Sequence, residues 1–300
     1  MEKIGLVLEG GAMRGLFTAG ILDVLMESRV RFDALIGVSA GAVFGCNYKS
    51  GQAGRVLRYN LRFCRDSRYC SWGSWLKTGD LFGAEFCYHE LPEKLDPFDC
   101  EAFNRDPLDF YLVCTDVHTG KAIYRRCPEA DAECFDWMRA SASMPLVSRM
   151  VSIGEGKYLD GAIADSIPLR FFEDAGIRKN VVILTQPAGY AKRLSSVMGL
   201  LRLIYRKYPA LLRAMERRHE IYNETVRYAE VQATAGKVLL LRPEKALPVQ
   251  RISHDPVLLQ RTYNLGRELA LKRLNEIREF ISSTKGSGTR VYKKDEEVKK

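Results

Sequence analysis

Apolar residues in this chain follow two periods. Residues 4–8, 32–38, 110–115 and 181–185 are short, nearly continuous apolar runs, the pattern of strands buried on both faces. Between them the period lengthens. Residues 13–28 bring Leu16, Ala19, Ile21, Leu22, Leu25 and Met26 to one helical side, residues 40–48 begin a second helix, and residues 131–142 form a third that ends before Pro145. Strand, helix, strand, helix in that order predicts right-handed crossovers and an α/β fold: a three-layer α/β/α sandwich with a mainly parallel central sheet. Residues 116–121 read as a turn that folds 122–126 back as a hairpin, and 157–159 lead into Asp160 on a short strand.

Two regions are less regular. Within 50–107, residues 58–68 are basic and partly helical, while 71–86 are rich in Trp, Gly and Phe. This reads as an insertion over the carboxyl ends of the strands, where open α/β sheets place ligands. Its aromatics either line a pocket or form a satellite core. Past residue 190, residues 192–208 and 210–233 are expected to be helical with Pro209 opening the second, 237–242 to be strand-like, and 253–283 to be a long amphipathic helical stretch. The expected organisation is therefore a domain over 1–190, a helical, basic C-terminal extension over 191–284 packed on it, and a polar, disordered tail over 285–300.

At 300 residues the chain can bury a large core, and 46% hydrophobic with 28% charged residues is ordinary for a globule. No apolar run reaches the ~20 residues of a membrane-spanning helix, and the first residues lack the pattern of a signal peptide. A cytoplasmic protein is expected, with peripheral membrane contact at most. The eight cysteines contain no Cys-x-x-Cys pair and read as reduced thiols. Cys64 and Cys70 with a histidine do not match common zinc spacing, so no metal is expected. The net charge is +9, and residues 192–219 hold eight basic residues against the single acid Glu216. Leucines interleave with those arginines over 194–215, which fits either a helix resting on anionic lipid through 192–218 or a packed helix with a solvated basic face. Nucleic acid is not an expected partner, because no recognised module is present.

Candidate chemistry lies in three stretches. Glu9-Gly10-Gly11-Ala12-Met13-Arg14-Gly15 follows the first strand, Gly37-Val38-Ser39-Ala40-Gly41 follows the second, and Asp160-Gly161-Ala162 comes far later. Gly-x-Ser-x-Gly between strand and helix holds a serine at the tip of a tight turn, where the helix N-terminus favours negative charge. In this order, and with Ser141-Ala142-Ser143-Met144-Pro145 and Pro168, the three stretches resemble the patatin-like phospholipase family over roughly residues 4–185. The resemblance implies a serine acyl hydrolase acting on lipid esters such as phospholipids or lysophospholipids. It implies Ser39 as nucleophile, Asp160 as base, residues 10–15 as oxyanion loop and no cofactor. Ala12 stands where that family has a third glycine. Because alanine resists positive φ, either the loop takes a right-handed conformation there or the oxyanion hole is altered. Asp165 is a second carboxylate near the base. A Ser–Asp–His triad through His219 or His254 is the alternative within hydrolases. A dinucleotide site at the first turn, or a lipid-binding module without turnover, are the alternatives outside them.

Overall fold

The computed structural model describes residues 2–283; the tail expected over 285–300 lies outside the described residues. Eight strands form one sheet: β1 (Ile4–Leu8), β2 (Ala34–Val38), β3 (Asp109–Asp116), β4 (Ala122–Arg126), β5 (Val151–Ile153), β6 (Gly156–Asp160), β7 (Lys179–Ile183) and β8 (Val238–Leu241). The helices are α1 (Gly15–Glu27), α2 (Ala40–Lys49), α3 (Arg55–Phe63), α4 (Trp72–Thr78), α5 (Cys100–Arg105), α6 (Ala132–Ser141), α7 (Leu169–Asp174), α8 (Met198–Ile204), α9 (Pro209–Thr234), α10 (Pro256–Lys272) and α11 (Leu274–Ser282). A π-helical segment spans Phe86–Leu95.

The strand order is β5-β6-β3-β2-β1-β7-β8, with β4 on β3. Strands β3, β2, β1, β7 and β8 run parallel, whereas β4, β5 and β6 are antiparallel to their neighbours. Alternate strand residues feed two cores. Leu6, Leu8, Val181, Ile183, Leu239 and Leu241 pack under α1, α2, α6, α10 and α11, while Val7, Ile36, Val38, Val182 and Val238 pack under α7 and α9. This is the three-layer sandwich expected from the strand runs.

β3 decides where the site forms. Val113 pairs with Val38 of β2 and with Tyr124 of β4, so those strands hold opposite edges. Thr115 pairs with Ala122 of β4 and with Leu159 of β6. A strand residue has two edges, so β6 shares β2's edge and continues where β2 stops. The end of β2 thus meets the end of β6.

Past residue 190 the structure departs from the expected pattern. Residues 192–197 are not helical, and the expected helix over 192–208 reduces to α8. The Asn223 side chain accepts from the Lys192 N–H and donates to its C=O, at 2.8 and 2.9 Å, which replaces helical bonding there. The partly helical character expected over 58–68 is met by α3, which starts earlier and ends at Phe63, and β5 closes a hairpin with β6 that the apolar pattern does not announce. The sheet also runs through the boundary expected near residue 190, because β8 pairs with β7. Among the described residues no helix is long and apolar enough to cross a membrane.

Candidate active site

Ser39 follows β2 directly and precedes α2. Its backbone has φ 55° and ψ −123°, a strained region for a non-glycine residue that persists only where the surroundings enforce it. They do so here. The Ser39 N–H donates to Ser141 Oγ at 3.0 Å, and that hydroxyl donates to the Val113 carbonyl at 2.7 Å. A Cβ on Gly37 would lie 2.5 Å from the backbone of Gly41 and Ala42, so the turn closes only around glycine.

Asp160 ends β6. Its Oδ2 accepts from Ser39 Oγ at 2.8 Å, and its Oδ1 accepts from the Ala162 N–H, also at 2.8 Å, within the short turn Gly161–Ile163. The Asp160 N–H donates to the Ser143 carbonyl at 2.8 Å. Ser141, which ends α6, and Ser143, two residues on, therefore hold the two partners, one each. Ser39 is 5% exposed and Asp160 4%. Burial pushes the Asp160 carboxyl up, opposed by Arg218, the Ala162 N–H, the Ser39 hydroxyl and Arg251. A raised carboxylate pKa is the direction a base near neutral pH requires.

The loop after β1 lies against this pair. Gly10 approaches so closely that a Cβ there would sit 3.0 Å from Ser39 Cβ. Among the described residues the N–H groups of Gly10, Gly11 and Ala12 have no backbone acceptor, whereas Met13 N–H donates to the Arg251 carbonyl and Arg14 N–H to Gly11. The right-handed conformation expected for Ala12 is not found: it adopts φ 48°, the left-handed conformation glycine would favour. Gly15 opens α1.

Two cavities meet at Ser39. An apolar one of about 120 Å³ runs past Met13, Val43, Phe44, Tyr59, Tyr88 and Met138. Phe82, within 71–86, lines it and also packs against a satellite core that includes Tyr69, so the two readings of 71–86 are compatible. The other cavity, about 270 Å³, holds Ser39, Asp160, Gly10, Gly11, Ala12, Met144 and Leu146, with the cations Arg14, Lys192, Arg218 and Arg251. The sequence pattern assigned Lys192 and Arg218 to a basic helix face and did not single out Arg251. Nothing in their spacing announces that they converge.

Other candidates fall elsewhere. Asp165 accepts from Tyr124 Oη at 2.9 Å and from the Ile167 N–H at 3.1 Å. His219 Nδ1 lies 2.8 Å from the Glu216 carbonyl and His254 Nδ1 2.7 Å from the Cys64 carbonyl, and neither lines these two cavities. Asp33 stands before β2 rather than at its end, where a dinucleotide's ribose-binding acid belongs, and accepts the Ile4 N–H at 2.8 Å. Among the described residues no three His, Cys, Asp or Glu side chains gather as metal ligands.

A family profile described as Patatin-like phospholipase matches residues 6–172. The chain belongs to the patatin-like phospholipase family. Membership supports a lipid esterase at the coarse level. A second profile, a domain of unknown function (DUF6363), matches residues 208–282 of this patatin-like chain. It is 26% identical over 288 residues to the uncharacterized protein YjjU of Escherichia coli, covering 88% of this chain and 75% of that one. It is 24% identical over 189 residues to lysophospholipase NTE1 of Cryptococcus neoformans, covering 61% of this chain and 11% of that protein. It is 30% identical over 176 residues to the uncharacterized NTE family protein Rv2565 of Mycobacterium tuberculosis, covering 56% and 27%. Thus the chain spans three quarters of YjjU but a minor part of the other two. Among solved structures, VipD from Legionella pneumophila aligns with TM-score 0.47 and 13% identity, over 92% of this chain and 67% of that one.

Proposed function

We propose that this patatin-like protein is a serine acyl hydrolase that cleaves carboxylic esters of lipids through a Ser39–Asp160 dyad. The observation that carries the reading is the 2.8 Å hydrogen bond from Ser39 Oγ to Asp160 Oδ2, at the junction of an apolar and a polar cavity. Ser39 Oγ attacks the ester carbonyl while Asp160 takes its proton. The negative charge on the carbonyl oxygen faces the free N–H groups of Gly10, Gly11 and Ala12, with the α2 N-terminus behind Ser39. Collapse breaks the carbon–oxygen bond, and the departing alkoxide takes the proton from Asp160. Water then attacks the acyl-serine, again giving its proton to Asp160, and the freed serine oxygen recovers it as the fatty acid leaves. The apolar cavity takes the acyl chain and the polar cavity the alcohol portion.

Access is from a lipid surface through 192–218. Leu194, Val197, Leu200, Leu203 and Ile204 are exposed beside Arg193, Arg206 and Lys207, and Val197 also lines the polar cavity. Apolar residues amid basic ones suit an anionic membrane.

Fluorophosphonate labelling with mass spectrometry of the adduct tests the chemistry. The expected result is one adduct, on Ser39, absent from Ser39→Ala. A folded wild-type protein that takes no label would overturn the hydrolase reading and leave a lipid-binding module.

A further inference from the structure

The polar cavity collects more positive charge than a dyad needs. Arg14 comes from the oxyanion loop, Lys192 from the segment before α8, Arg218 from α9 and Arg251 from the segment before α10. Lys192 feels the repulsion of the other three, Arg218 that of Arg251 and Arg14, and Arg14 that of Arg251. Among the described residues none of the four side chains has a carboxylate oxygen within 4 Å, and the Nε atoms of Arg14 and Arg218 are buried with no hydrogen-bond partner. The two carboxylates nearby are already engaged. Glu9 receives Tyr222 Oη and the N–H and hydroxyl of Thr185, and Asp160 receives Ser39 and Ala162. Lys192 Nζ sits 3.6 Å from the Tyr222 ring centroid, a position that leaves its N–H donors unspent on acceptors. Burial and the other cations hold the Lys192 ammonium well below the usual lysine range. Four like charges with unused donors in one cleft are costly unless an anion completes them.

Resting on the dyad reading, we propose that Arg14, Lys192, Arg218 and Arg251 form a receptor for a phosphate on the alcohol portion of the substrate, so that the favoured substrates are acyl esters of glycerol phosphate with a net-anionic headgroup. Ser39 lines both cavities, so a chain in the apolar one places the ester at Oγ and its alcohol portion among the cations. A choline headgroup would bring a fifth positive charge into the cleft, whereas a glycerol or bare phosphate headgroup would not. Three of the four cations lie beyond the matched hydrolase region 6–172, and Arg218 and Arg251 fall within the domain of unknown function at 208–282. That region thereby gains a role as the source of headgroup selectivity.

The test has a binding arm and a turnover arm, both on the full chain. Calorimetry with sn-glycerol 3-phosphate, inorganic phosphate and glycerol is run on wild type, Arg218→Gln, Lys192→Met and, as a control away from the cavity, Arg31→Gln. Turnover is compared on lysophosphatidylglycerol, lysophosphatidylcholine and monoacylglycerol of one chain length. Glycerol 3-phosphate is expected to bind more tightly than inorganic phosphate, and glycerol not at all. Arg218→Gln and Lys192→Met are each expected to weaken that binding and to cut the anionic-over-neutral selectivity, by ~10–100-fold where a charge-assisted bond is lost. Arg31→Gln is expected to match wild type. If Arg218→Gln does not fold, Lys192→Met carries the test. Equal binding of the two phosphates would overturn the headgroup assignment in favour of a free-anion site. Hydrolysis of all three esters without charge preference, and without glycerol 3-phosphate binding, would overturn the receptor while the dyad stands. Binding without turnover of any ester would overturn the dyad reading and leave the receptor in place.

Discussion

Replacing Asp160 by Asn exchanges one carboxylate oxygen for an NH2 and separates catalysis from stability. The amide oxygen can still accept the Ala162 N–H, but the group facing Ser39 Oγ becomes a donor and takes no proton. Loss of a general base lowers rates by ~10²–10⁴-fold, roughly 3–5 kcal/mol of barrier at ~1.4 kcal/mol per tenfold. Stability is expected to move the other way. Burial raises the Asp160 pKa despite Arg218 and the two hydrogen bonds, so the folded protein binds this proton more tightly than the unfolded chain does. The carboxyl's contribution to stability therefore falls as pH rises from its unfolded value near 4 through its higher folded value, and the full cost is present above that. Asp160→Asn is expected to be at least as stable as wild type at pH 7, with the difference shrinking toward pH 4, while fluorophosphonate labelling slows at least ~100-fold. Labelling rates and denaturant melts from pH 4 to 8 read both quantities. Labelling within threefold of wild type would refute Asp160 as base. A variant that is less stable at pH 7, by a margin that shrinks on acidification, would refute the electrostatic account.

Ala12→Gly relieves a left-handed alanine costing about 1–2 kcal/mol and returns about 0.4–1 kcal/mol through unfolded-chain entropy; denaturant melts should show equal or slightly higher stability with the label rate preserved. Ser141→Ala removes the group that holds the Ser39 N–H and caps the Val113 carbonyl, so a loss of about 1–3 kcal/mol and slower labelling are expected in the same assays. Val43→Phe narrows the apolar cavity at an overpacking cost of about 1–3 kcal/mol, and turnover of p-nitrophenyl esters should shift toward short acyl chains; an unchanged chain-length profile would mean the acyl group lies elsewhere. Leu200→Ser with Leu203→Ser removes two exposed leucines from α8, each worth up to ~1.5–3 kcal/mol on burial, so sedimentation with phosphatidylglycerol vesicles should fall at least tenfold.

The parts of the site built from consecutive residues were legible in the sequence. Gly37-Val38-Ser39-Ala40-Gly41 encodes its own turn, because only glycine admits the 2.5 Å approach at residue 37. The strand runs are likewise local, and their alternation sorted into two cores as parallel strands require. Ser39 meeting Asp160 was inferred from motif order, since the sharing of one β3 edge by β2 and β6 depends on pairings that no local pattern contains. The C-terminal cations were not legible as a group. Lys192, Arg218 and Arg251 sit on a loop, a helix and another loop, and each is indistinguishable in sequence from a solvated arginine or lysine. Residues 192–197 carry a helical pattern that the Asn223 side chain overrides from another element. Ala12 was misjudged because sterics alone disfavour positive φ, whereas the loop between β1 and α1 imposes it.

The end-to-end placement of β2 and β6 on one edge of β3 also bears on the life of the chain during synthesis. Ser39 precedes Asp160 by 121 residues, roughly 6–24 s of translation at ~5–20 residues per second. Throughout that interval the emerging chain carries a hydroxyl with no base beside it. Reactivity under the proposed mechanism arrives only when β6 docks with Asp160 opposite Cys114, and a slip of one residue would turn the carboxylate to the opposite face of the sheet. The register thus acts as a safety catch: under that mechanism a half-made copy carries the hydroxyl without its base.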